Sequence, residues 1–117
     1  MRALVRDTDL DNQQRHRKEA KMPLYFVEHQ HTAETCPTKQ PEMMRMLGQH
    51  VTQGNADTYD IRILADVVLP GEHKMKMVLE APSQEPVDRF VQPFAMAGTV
   101  DVKEVSTCEQ VVATAVC

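Results

Sequence analysis

The chain has 117 residues, 42% of them hydrophobic and 26% charged, with no Trp and a formal net charge of −4. That length makes one domain, and the composition belongs to an ordinary globular chain, not a disordered one. No apolar run approaches the ~20 residues of a membrane helix. The acidic balance, with no interleaving of basic and aromatic residues, gives no reason to expect a nucleic-acid partner.

The charge is unevenly spread. Residues 1–21 carry six Lys/Arg against four acids, and the remainder carries seven against thirteen. Arg6–Lys21 is almost wholly polar, so residues 1–21 are expected to be a flexible extension, with the folded domain at 22–117 and Met22 a possible natural start. The first residues lack the apolar core of a signal peptide, and Cys36, Cys108 and Cys117 form no CxxC or stapled pattern. Reduced thiols in a cytoplasm are therefore the expectation.

From Pro23 the pattern becomes regular. Leu24-Tyr25-Phe26-Val27 is a short β-favouring run leading into Glu28-His29-Gln30-His31, a first strand. Met43, Met44, Leu47 and Val51 recur at helical spacing, predicting a helix over 39–52 with these residues in the core, ended by Gln53-Gly54-Asn55. Tyr59, Ile61, Ile63, Ala65, Val67 and Leu69 alternate with Asp60, Arg62 and Asp66, which predicts a half-buried strand over 59–69. Pro70-Gly71 turns the chain into a second alternating segment, His73–Ala81, making a hairpin. Pro82-Ser83 opens a helix with Val87, Phe90, Val91 and Phe94 in its apolar stripe, and Val100–Val105 is a last strand after Gly98. Beyond it, Ser106–Cys117 has room for one more short element around Val111 and Val112.

This order is β-α-β-β-α-β, an α+β, ferredoxin-like arrangement with two helices on one face of a four-stranded antiparallel sheet. The other face would mix Arg62, Leu64, Val68, Val78 and Val105, a half-apolar surface suited to pairing with a second copy as a dimeric α/β barrel.

The most specific chemical feature is His29-Gln30-His31 followed by Cys36. Residues i and i+2 of a strand share a face, so His29 and His31 would present two imidazoles together, with Cys36 near them. Two imidazoles and a thiolate suit Zn²⁺ or another divalent transition metal and leave a coordination position open. Strand-end histidines are also common as plain surface or interface residues, and a small apolar role for Cys36 at a helix start is equally reasonable. The end of the first strand is expected to meet Tyr59, Glu80 and Thr99, with His73 and Cys108 at the opposite end. That makes Glu80, and secondarily Glu28, the candidate carboxylate for proton transfer. Met43, Met44 and Met46 read better as core than as soft ligands. No Walker, GxSxG or HExxH pattern is present.

YFVEHQHTAETCP after the first strand, GEH opening the third, and VDRFVQPFAMAGTVDVKEVSTCEQVV across the last helix and strand resemble small bacterial and archaeal ferredoxin-like domains of the dimeric α/β-barrel superfamily. The resemblance spans Leu24–Cys117 and implies a fold but no particular reaction. The superfamily includes cofactor-free monooxygenases, haem-handling enzymes, muconolactone-isomerase-like proteins and metal-binding members. Two expectations follow. The first is a homodimeric metal-binding protein with His29, His31 and Cys36 as ligands, hydrolysing an ester or phosphoester. The second is a metal-free barrel that binds or oxidises a small apolar molecule; a non-catalytic interaction domain stands behind both.

Overall fold

Four antiparallel strands form the sheet of the computed structural model, which describes residues 22–115. In chain order the elements are β1 (Leu24–Gln30), a 3-10 turn (Pro37–Lys39), α1 (Pro41–His50), α2 (Gln53–Asp57), β2 (Arg62–Leu69), β3 (Lys74–Glu80), α3 (Gln84–Ala95), β4 (Thr99–Val105) and α4 (Cys108–Thr114). The sheet order is β2-β3-β1-β4, an α+β fold. The expectations for residues 1–21 and for Cys117 lie outside the described residues. Among the described residues, no helix is long and apolar enough to cross a membrane.

One face of the sheet is the core. Tyr25 and Val27 of β1 and Met75, Met77 and Leu79 of β3 point into it at the strand period of two, and Val87, Phe90, Val91 and Phe94 of α3 close over them. The predicted stripe of α3 is thus the buried one. At the junction of α3 and β4 the chain passes so close to β1 that a Cβ on Gly98 would lie 2.1 Å from the Gln30 carbonyl oxygen.

Two expectations are corrected. The helix predicted over 39–52 forms as α1 but covers only Pro41–His50, with Lys39 in the 3-10 turn before it. Gln40, immediately before Pro41, is extended, because a residue before proline is driven out of helical geometry. The turn signal at Gln53 instead opens α2, whose first turn is capped by the Thr52 side chain accepting from the Asn55 N–H. The apolar stripe of this segment is core only in part: Leu47 and Val51 are half-buried against the core, whereas Met44 is 45% exposed.

The second correction concerns β2. A bulge between Ile63 and Ala65 shifts the register, so Ile63 opposes Leu79 but Ala65 opposes Val78. An extra residue reverses the facing of everything after it. Ala65, Val67 and Leu69 therefore lie on the open face, whereas Asp66 and Val68, opposite Met77 and Met75, lie on the helix side. Val68, expected on the open face, is instead a wall residue of the cavity beneath α1.

Candidate metal centre

Three segments deliver potential donors to one place. His31 follows the end of β1, Cys36 ends the following loop, and His73 closes the β2–β3 hairpin. One donor atom from each of the three lies within 4.8 Å of the other two, so the group can hold a metal ion. Ligand atoms of a tetrahedral Zn²⁺ site stand about 3.3–3.8 Å apart, given bonds of about 2.0–2.3 Å. A closure of about 1 Å completes such a site.

Strand direction explains this grouping and corrects the expected neighbours. β1 and β3 are antiparallel, so the end of β1 meets the beginning of β3: Gln30 opposes Lys74, and the His31 N–H donates to the His73 carbonyl at 3.0 Å. His73, expected at the far end, is therefore beside His31, their rings 5.2 Å apart in an edge-on arrangement. Glu80 opposes Leu24 instead, about 17 Å along the strand from His29. Tyr59 is at that far end too, against Phe90 and His50. Glu28 projects from the open face and pairs with Lys76 at 3.8 Å. Neither glutamate reaches the histidines. Thr99 does, as expected.

His73 adopts φ +57°, the left-handed region that side chains rarely occupy, two residues after Gly71 at φ +81°. A non-glycine residue there costs on the order of 1–3 kcal/mol. This conformation carries His73 out of the turn and back against His31.

His29 stands behind His31. It is 3% exposed, and both its ring nitrogens are engaged. Nδ1 lies 3.0 Å from the Thr99 carbonyl oxygen, which can only accept, so Nδ1 carries the proton. The neutral ring then presents Nε2 as an acceptor, and His31 Nδ1–H donates to it at 3.1 Å. That leaves His31 Nε2 deprotonated and available. An imidazole ligand whose second nitrogen is held by a hydrogen bond has a fixed tautomer and ring orientation.

Electrostatics favour the ligating forms. Burial lowers the pKa of His29 against the opposing effect of the Thr99 carbonyl, and burial together with His73 lowers that of His31, so both rings stay neutral. The Cys36 thiol is pulled below its ordinary value by hydrogen bonds from the Thr38 side chain, 2.9 Å away, and from the Thr38 backbone N–H. Lys39 assists and burial opposes. Cys36 is thus predisposed to be a thiolate. Cys108, at the start of α4, is exposed and outside the group.

All three donors border one cavity of about 580 Å³ between α1 and the sheet. Met44, Leu47 and Val51 of α1, Val68 of β2, Met75 of β3 and Phe94 of α3 supply most of its wall, with Asp66 and Lys74 as its charged members. The cavity exists because α1 stands off the sheet. No protein-family model matches the chain, and no curated protein matches it.

The signal for His73 was present in the sequence. A histidine at the last turn position of a hairpin sits at the beginning of the returning strand, beside the end of any strand antiparallel to it.

Proposed function

We propose that this is a metal-binding protein in which His31, Cys36 and His73 hold a divalent transition metal, zinc foremost, on the wall of an apolar cavity. The observation that carries this reading is the convergence of three donors from three separate segments. Two imidazoles and a thiolate match a borderline ion, and three protein ligands leave a position for a water or substrate atom. His29 is the outer residue that orients His31.

An open position of this kind polarises an ester oxygen and acidifies bound water, so hydrolysis is the reaction class the centre fits best. An ester with an apolar body suits the wall better than a phosphoester, which would need clustered cations or N–H donors. Neither Glu80 nor Glu28 borders the cavity; Asp66 is the carboxylate on its wall.

We further propose that the sheet is ferredoxin-like and pairs with a second copy as a dimeric barrel. Leu24, Phe26, Ala65, Val67, Val78 and Val105 share the open face by register, and Val67 is 55% exposed there. The apolar cavity also supports a metal-free reading, in which a small apolar molecule is bound or oxidised with the histidines as acid and base.

Elemental analysis of untagged protein, with its solution mass, tests the first reading. One metal per chain is expected, lost in a His31→Ala/His73→Ala double variant. Absence of stoichiometric metal, or content unchanged in that variant, refutes it, and an activity that survives chelation transfers the function to the metal-free reading.

A further inference from the structure

We infer that the cavity takes an amphiphilic monoanion: a carboxylate head that completes the metal's coordination and an apolar body that fills the space under α1. This rests on the metal reading above and adds the ligand class. Because His31, Cys36 and His73 all border the cavity, the side of the metal left without a protein donor is the cavity itself. Charge selects the head group. A dication held by one thiolate and two neutral imidazoles keeps one positive charge, and one anionic donor neutralises it. Of the other charges on the wall, Lys74 is paired with Glu72 at 4.0 Å and Asp66 lies opposite Met77, farther along the sheet from His73, so the metal decides the sign at the head group.

The wall selects the body. Met44, Leu47, Val51, Val68, Met75 and Phe94 present no hydrogen-bonding side chain between them. A polar body would lose its hydration without compensation, whereas each buried methylene gains. About 580 Å³ falls in the range that holds a small organic molecule. Met44, on a helix that stands off the sheet, allows the roof to settle onto bodies of different length. A carboxylic acid of this type is also one product of hydrolysing an apolar ester, the reaction class assigned to the centre.

The experiment uses the full chain loaded with Co²⁺, whose visible spectrum reports its coordination. Appearance of a cysteine-to-cobalt charge-transfer band establishes the metal site first. Acetate, butyrate, hexanoate and octanoate are then titrated at fixed pH, with octanol and octylamine as neutral and cationic counterparts. The expected result is a change in the cobalt bands with every acid. Affinity should rise about fourfold per added methylene until the cavity is full, and neither counterpart should perturb the bands. In Val68→Lys, altered at an exposed wall position, the chain-length dependence should flatten while cobalt still binds. If the charge-transfer band forms but acetate and octanoate bind equally, the cavity does not hold the body, as when a second copy fills it. If octanoate binds as tightly to metal-free protein, the head does not coordinate. Either result overturns the ligand assignment and leaves the metal centre standing; failure of the band to form removes both.

Discussion

Replacing His29 by phenylalanine separates a residue that holds a ligand from a residue that is one. Phenylalanine keeps a buried ring beside Phe94, whose centroid lies 5.3 Å from that of His29. It deletes two hydrogen bonds, to the Thr99 carbonyl at 3.0 Å and from His31 Nδ1 at 3.1 Å. Each is worth about 1 kcal/mol net, and the bond to His31 also fixes its tautomer. The combined loss should weaken metal binding by about 10- to 100-fold, the usual effect of removing the outer partner of a ligating histidine. Cobalt titration of the full chain measures this, with the cysteine-to-cobalt band confirming that Cys36 still ligates. Unchanged affinity in His29→Phe would refute the argument that the His29 bond orders His31. Complete loss of binding, equal to that of His31→Ala, would refute it differently, by making His29 a direct ligand.

Three further outcomes follow from the same geometry. Gly98→Ala should destabilise the protein by more than 2 kcal/mol, about the upper range of ordinary substitutions, because the new Cβ would sit 2.1 Å from the Gln30 carbonyl and push β4 off β1; a denaturation midpoint equal to wild type would contradict this. His73→Gly should be more stable than His73→Ala by about 1 kcal/mol, since φ +57° suits glycine, while both lose the metal. Equal midpoints would show that the turn relaxes without cost. The Tyr25 phenol is held above its usual value of 10.0, first by burial and then by Glu104. Folding therefore favours its protonated form, and the stability it contributes is complete below about pH 10 and lost as pH rises through the folded value. Absorbance titration of wild type against Tyr25→Phe should show the loss of a phenol that ionises above its ordinary value; loss of one that ionises at or below that value would overturn the assignment.

Most of the fold was legible because its elements are strongly patterned. The apolar stripe of α3, the alternation of β3 and the Pro70-Gly71 turn each follow from local chemistry. The bulge in β2 was not legible: Ile63-Leu64-Ala65 is apolar at every position, and only pairing with β3 shows where the extra residue falls. The start of the first helix was legible in Pro41, whose effect on Gln40 is a local rule. At the site, His31 and Cys36 were readable from their spacing, but His73 depended on strand direction. The register places it one residue before Lys74, opposite the end of β1, a relation no periodicity within a single strand contains.

The same long-range relations build the centre. The bulge turns Asp66 and Val68 toward the helices, so the far half of β2 walls the cavity instead of the open face. The left-handed His73 returns the hairpin to β1, and its carbonyl takes the His31 N–H, fixing the backbones of two donors to each other. Gly98 allows β4 to begin close enough that the Thr99 carbonyl reaches His29. Each feature departs from the ideal form of its element; the His73 turn and Gly98 lie at the site's end of the sheet, and the bulge acts on it from nearer the other end, opposite Leu79 and Val78. The opposite end, where Glu80 is buried opposite Leu24, has no comparable group of donors among the described residues. The strained His73 side chain is only half-buried, its ring edge-on to His31 at 5.2 Å. In the metal-binding reading an ion held by His31, Cys36 and His73 would offset this strain, so His73→Gly should lose the metal and yet be more stable than metal-free wild type.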